Sequence, residues 1–297
     1  MVSPGSQGGD GAHPYPWPVR IDLHTHSVAS DGTDEPAQLV AAAALAGLDV
    51  VALTDHDSTR GWAEAERAAL EHGVALVRGA EISCRTGGIS VHVLSYLHDP
   101  DDAGLLAESE RTRTARLTRA REMVERIAVD HPLTWADVEE QTVAGTTVGR
   151  PHIADALVER GHVTDRSAAF ASLLAVGSPY YVEHYAPDAV RAVALIRAAG
   201  GVPVMAHPAA ARGRIVADAV IEAMVGAGLA GLEVHHRDHD AHQRERLLRL
   251  AERLGLLVTG SSDYHGAGKP NLLGENTTAP EVLAELEARG RLPVIRP

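Results

Sequence analysis

The 297-residue chain predicts an α/β fold in which parallel strands close a barrel, and three observations carry that prediction. Short apolar runs alternate with helical stretches along most of the chain, the rhythm of βαβ units with right-handed crossovers. The apolar residues are mainly Ala, Val and Leu, with Phe170 the one phenylalanine, a core of small aliphatics suited to helices packed on parallel strands. Histidines and carboxylates recur where the apolar runs end, which is where barrel loops assemble active sites.

Residues 1–19 read as a disordered N-terminal segment, since Met1 to Pro18 is rich in Gly, Pro and Ser and lacks the apolar stretch of a signal peptide. A first strand runs through Ile21 into His24-Thr25-His26. Glu35 to Ala46 follows as an Ala-rich helix, with Pro36 in its first turn and Gly47 ending it. A strand at Asp49 to Thr54, a helix from Trp62 to His72 closed by Gly73, and a strand at Ala75 to Arg78 continue the alternation. Ile89 to Leu94 carries the β-branched and aliphatic residues of a buried strand.

The rhythm breaks after Asp99-Pro100-Asp101-Asp102. Residues 103–185 read as a helical insertion: a long charged helix from Ala103 to Arg126, then helical stretches over Pro132 to Glu140 and Pro151 to Arg160. Helices at Ala189 to Ala199, Ile215 to Ala227 and His242 to Leu254 then alternate with strands at Val202 to Ala206, Gly231 to Val234 and Leu256 to Thr259. Residues 20–102 and 186–297 together close one barrel, with the insertion as a cap.

A formal net charge of −13 excludes a broad electrostatic footprint for duplex DNA or RNA. Cys84 is the single cysteine, so no intrachain disulfide forms and the cytoplasm is the expected compartment. It reads as a core or rim residue. No run of about 18 apolar residues occurs, so no membrane span is expected. No feature assigns an oligomeric state.

His24 and His26 lie one residue apart on a strand, which points both imidazoles the same way and makes half a metal site. Further ligand-type residues follow at the ends of apolar runs: Asp31, His56, Glu81, His92, His207, Asp263 and His265. Scattered histidines have no reason to prefer such places. Mixed imidazole and carboxylate donors suit Zn, Mn or Fe better than Mg or Ca.

The stretches Asp22-Leu23-His24-Thr25-His26-Ser27, Ser30-Asp31-Gly32, Thr54-Asp55-His56-Asp57, Gly79-Ala80-Glu81, Ala206-His207-Pro208 and Ser262-Asp263-Tyr264-His265-Gly266 resemble, in order and spacing, the motifs of the PHP (polymerase and histidinol phosphatase) superfamily. The resemblance spans Ile21 to about Pro280. It implies a distorted seven-stranded (β/α) barrel holding three divalent metal ions (Mn, Fe or Zn) at the C-terminal ends of its strands. Carried over, the pattern puts His24, His26, Glu81 and Asp263 on one metal, has Glu81 bridge to a second held by His92 and His207, and gives Asp31, His56 and His265 a third. The implied chemistry is phosphate ester hydrolysis by a metal-bridging hydroxide held at Glu81. Asp57 would orient its neighbour His56 or serve in proton transfer.

Within the superfamily, Arg113, Arg116 and Arg119 followed by Gly149-Arg150-Pro151-His152-Ile153-Ala154 resemble the branch that acts on 3′,5′-bisphosphonucleosides, nucleoside 5′-monophosphates and the 5′ ends of short RNA. Arginine forks grip phosphate bidentately. At i, i+3 and i+6 the three arginines drift around their helix, so one or two face the cleft. Arg150, His152 and His236 join them as expected substrate contacts. His235, His239 and His242 read as surface residues, and His98, in no strand-end context, receives no role. The insertion returns as Tyr181-Val182-Glu183-His184-Tyr185 where this branch is expected to carry a basic residue, with His184 as the substitute for that charge. Two other readings compete: a phosphatase for histidinol phosphate or another small molecule, and a non-catalytic metal-binding accessory domain. The arginine-bearing insertion disfavours one, and the complete ligand set disfavours the other.

Overall fold

The computed structural model describes residues 19–209 and 216–297. The N-terminal segment, Val19 apart, lies outside the described residues, as does the predicted helix start at Ile215. Seven strands form one sheet in chain order: β1 (Ile21–Asp22), β2 (Val50–Leu53), β3 (Ala75–Thr86), β4 (Ile89–Tyr96), β5 (Val202–Met205), β6 (Gly231–His235) and β7 (Leu257–Gly260). Helices α1 (Pro36–Leu45) and α2 (Trp62–His72) connect the early strands, and α7 (Ala189–Ala198), α8 (Asp218–Gly226) and α9 (Ala241–Leu254) the later ones; α10 (Pro280–Arg289) ends the chain. Between β4 and α7 stand α3 (Ala103–Ile127), α4 (Trp135–Glu139), α5 (Arg150–Glu159) and α6 (Arg166–Ala171). Of these, α6 was not foreseen in the sequence.

Alternation along β2 shows how the barrel is layered. Val50 and Ala52 join Ile21, Leu23, Val77, Leu94 and Val204 in one apolar cluster, while Val51 and Leu53 join the buried faces of α1 and α2. Both faces are covered, which is why the strand is an unbroken apolar run. Helices α3, α5 and α6 share a separate apolar cluster that includes Met123, Ile127, Ile153, Leu157 and Ala169.

The parallel order expected from the sequence fails at one strand. β4 is antiparallel to both β3 and β5, and β3 runs on through Glu81 to Thr86 instead of ending at Arg78. Gly87 and Gly88, at φ of 51° and 78°, make the two-residue turn that joins β3 to β4, a turn whose backbone twist matches that of paired strands. Glu81 and His92 therefore project from paired strands, not from loops.

The seam between β7 and β1 has no continuous ladder among the described residues. It is closed by a Thr25–Tyr264 bridge and by Thr278 N donating to the Ile21 carbonyl at 2.9 Å. Asp22 accepts from Ser262 N at 3.0 Å and from Gly274 N at 2.8 Å, and burial pushes its carboxyl up to about 6.

His98, given no role from sequence, is buried after β4, with Nδ1 2.8 Å from Ser95 Oγ and its ring 5.0 Å from Trp62. Burial holds it neutral down to about 4. The unfolded chain takes up this proton near pH 6.5 and the folded one does not, so the stabilisation is full above pH 6.5 and is lost as pH falls toward 4. Urea titrations should show the loss of stability from pH 7 to pH 5 smaller by about 2 kcal/mol in His98→Gln than in the parent. An equal loss in both proteins would exclude His98 as a source of acid sensitivity.

Candidate metal centre

Glu81 lies at the middle of the cluster. Its Oε2 is 3.4 Å from His24 Nε2, 3.2 Å from His26 Nε2 and 3.1 Å from His56 Nδ1. Its Oε1 is 2.8 Å from His92 Nδ1 and 3.1 Å from His207 Nε2. Asp263 Oδ1 stands 3.4 Å from the Nε2 atoms of both His24 and His26, which are themselves 3.0 Å apart. Asp31 lies between His56 and His265, with Oδ2 3.6 Å from His56 Nε2 and Oδ1 3.2 Å from His265 Nε2. All nine ligand-type residues read from the sequence are thus gathered, and Glu81 turns one oxygen toward each of two donor groups.

Neighbouring side chains aim these donors. Glu233 Oε1 accepts from His24 Nδ1 at 3.0 Å, which orients the ring with Nε2 toward the cluster. Its other oxygen accepts from His207 N at 2.7 Å. His265 Nδ1 donates to the Asp263 carbonyl at 2.8 Å, so its Nε2 turns a lone pair toward the cluster. Asp55 accepts from Ser27 N, Ser27 Oγ and Ser30 Oγ, fixing the loop that carries Asp31. Asp57, His207 and Asp263 take positive φ angles of 50°, 28° and 54°. Such strain in non-glycine residues persists where the surrounding structure holds it.

The donor set fits divalent cations. Asp31 Oδ1, His56 Nδ1 and His92 Nδ1 are buried without a hydrogen-bond partner, a cost that coordination would remove. Burial alone would lower His24, but Glu233, Glu81 and Asp263 outweigh it and hold its pKa well above the usual range. Burial also opposes the proton on His26, yet the Asp263 and Glu81 carboxylates push it up to about 9. Crowded carboxylates here demand positive charge. Imidazole with carboxylate is the donor chemistry of Zn, Mn or Fe.

Helix α3, which follows β4, reaches this cluster. Arg116 is buried and donates to Ser83 Oγ at 2.6 Å, with Asp57 Oδ2 3.5 Å away. Asp57 in turn accepts from Ser83 N and Ser83 Oγ, so both of its carboxylate oxygens anchor it to β3. Arg119, also buried, donates to His184 Nδ1 at 3.1 Å. Arg85 donates to the His184 carbonyl, and Arg150 packs near the rings of Phe170 and Tyr181. Burial, then the fields of Arg119, Arg116, Arg85 and Arg150, force the His184 imidazole down to about 2. His184 is therefore neutral and accepts from Arg119, which corrects the expectation that it supplies a positive charge. Arg113 points elsewhere, donating to the Gly145 carbonyl at 3.0 Å. His152 is buried, and its Nδ1 accepts from Gly149 N at the start of α5.

Comparison with known proteins decides the family. A model of the PHP domain matches residues 22–128. The 3′,5′-nucleoside bisphosphate phosphatase of Chromobacterium violaceum is 34% identical over 292 residues, 94% of this chain and 99% of that protein. The chain belongs to the PHP family. It is a metal-dependent phosphoesterase by the same likeness. A 5′-3′ exoribonuclease of Haemophilus influenzae is 32% identical over 251 residues, covering 83% of this chain and 90% of the relative. A Bifidobacterium adolescentis structure assigned as a metal-dependent phosphoesterase superposes with a TM-score of 0.89 at 46% identity, over 91% of this chain and 96% of the other.

Several residues of this PHP site escaped the sequence reading. Glu233 is an acid inside the apolar strand Gly231-Leu232-Glu233-Val234, a signal that a buried charge needs partners. Lys269 places Nζ 2.6 Å from Asp263 Oδ2. His239, read as a surface residue, is buried: its Nδ1 donates to the Val234 carbonyl and its Nε2 accepts from Ala209 N. His236, expected from the sequence as a substrate contact, lies beside it, with Nε2 3.6 Å from Asp263 Oδ2.

Proposed function

We propose that this PHP enzyme releases phosphate from nucleotides, namely 3′,5′-bisphosphonucleosides, nucleoside 5′-monophosphates or the 5′ ends of short RNA. The observation that carries the reading is the gathering of Arg85, Arg116, Arg119 and Arg150 around a neutral His184, next to a cluster suited to divalent ions. Guanidinium groups gathered in this way, with Arg116 and Arg119 buried, call for an anion. The named activities of the Chromobacterium and Haemophilus relatives support a nucleotide.

In this reading His24, His26, Glu81 and Asp263 hold one ion, Glu81 with His92 and His207 a second, and Asp31, His56 and His265 a third. Bound Mn, Fe or Zn would supply Lewis acidity toward a phosphoryl oxygen and acidify water. Residues 103–185 act as a substrate cap over the barrel formed by 20–102 and 186–297. Arg116 and Arg119 grip a phosphate of the substrate away from the ester being cut, and Arg150 adds charge to the same pocket. His236 contributes a substrate contact beside Asp263. Asp57 keeps Arg116 in place. No helix among the described residues is long and apolar enough to cross a membrane, and the reading places the enzyme in the cytoplasm.

A phosphate-release panel tests this: AMP, 3′,5′-bisphosphoadenosine, histidinol phosphate and a short 5′-phosphorylated RNA, each with Mn²⁺ and with chelator. Release from one or more nucleotides, abolished by chelation, is expected. Turnover of histidinol phosphate alone would overturn the nucleotide assignment.

A further inference from the structure

We propose that Lys269 is a phosphate-contacting residue, which with His236 forms a two-donor clamp for a non-bridging oxygen of the phosphoryl group at the metal centre. The proposal rests on the phosphoesterase activity of the family and not on the nucleotide reading.

The loop bearing Lys269 is tied to the cluster at both ends. Ala267 N donates to Thr33 Oγ1 at 2.8 Å, and Asn271 Nδ2 donates to the carbonyls of Ser262 and Asp263 at 2.6 and 3.2 Å. Gly268 passes so close to Arg166 that a Cβ there would stand 2.1 Å from its Nη1. The ammonium is therefore delivered by a braced segment, although the side chain itself remains 40% exposed.

Asp263 divides its two oxygens between two tasks. Oδ1 faces His24, His26 and His265 at 3.4, 3.4 and 3.5 Å, whereas Oδ2 faces Lys269 Nζ at 2.6 Å and His236 Nε2 at 3.6 Å. The His236 tautomer follows from its other nitrogen. Nδ1 accepts from Asp238 N at 3.1 Å, so Nε2 carries the hydrogen. That donor is buried without a hydrogen-bond partner.

Two donors, one ammonium and one imidazole N–H, thus converge on the outer edge of a carboxylate whose inner edge belongs to the cluster. A buried donor lacking an acceptor is costly. A phosphoryl oxygen arriving at the cluster would complete it and would find the flexible lysine stem able to swing from Asp263 Oδ2 onto the substrate. Lys269 would then offset charge on the transferring group beside Asp263.

The test uses the metal-loaded full chain, with inorganic phosphate as the probe. Calorimetry on Lys269→Met should show phosphate binding weakened about 10- to 100-fold, the span of one charge-assisted hydrogen bond. Metal content per chain should be retained, and Lys269→Arg should recover part of the phosphate affinity. Unchanged phosphate affinity in a folded, metal-replete Lys269→Met protein would overturn the proposal. Loss of metal with no recovery in Lys269→Arg would also overturn it, by showing that Lys269 only supports Asp263. Should Lys269→Met fail to fold, the same titration on Lys269→Gln decides. Because phosphate is the common product, the result stands whichever ester proves to be the substrate.

Discussion

Glu81→Gln is expected to lower phosphate release by about a thousandfold or more and to strip metal from the protein. The size follows from position, since one Glu81 oxygen faces His24, His26 and His56 and the other faces His92 and His207. A neutral amide offers one weak oxygen donor where the carboxylate offers two charged ones. His24→Ala and Asp263→Ala should act in the same direction, each removing a donor from one side of the cluster. Elemental analysis beside a phosphate-release assay checks this. Full turnover in folded Glu81→Gln or His24→Ala would exclude a metal-centred reaction at this cluster.

Arg119→Met should raise KM for 3′,5′-bisphosphoadenosine about 10- to 100-fold, with a much smaller effect on AMP. Arg119 is buried, and desolvation together with Arg116 and Arg150 pulls its pKa down to about 9. Such a group is retained against the stability of the fold, so the substitution should leave the melting temperature unchanged or raise it. Thermal melts and paired KM measurements test both halves. An equal rise in KM for the two substrates would show that Arg119 contacts a phosphate common to both.

The sequence made the donors legible because each stands against an apolar strand, and a polar side chain at such an end is conspicuous. The hairpin was obscured by Arg78, Glu81 and Arg85, polar residues that make the second half of β3 read as a loop. In the fold they are satisfied by Glu66, by the histidine cluster and by Glu183. Gly87-Gly88 was the available sign. His184 was visible as a residue, but its protonation depends on four arginines, one on β3 and three from α3 and α5, that only the fold brings together. His239 sits among Arg237, Asp238 and Asp240 and so reads as surface, yet backbone groups on two segments use its ring. Lys269 lies in a Gly-rich loop without periodicity, and its relation to Asp263 depends on how that loop curls.

The weak β1–β7 seam gives the metal site a mechanical meaning. His24 and His26 come from one end of the chain and Asp263 from the other, and they meet across the place where the barrel has the fewest backbone ties. A cation shared among them would rivet the first strand to the last. Withdrawing it would loosen those two strands before the β3–β4 hairpin, whose pairing is local and complete. Glu81 and His92 are thus stitched by neighbouring chain, whereas His24, His26 and Asp263 meet where an ion would add to a sparse closure.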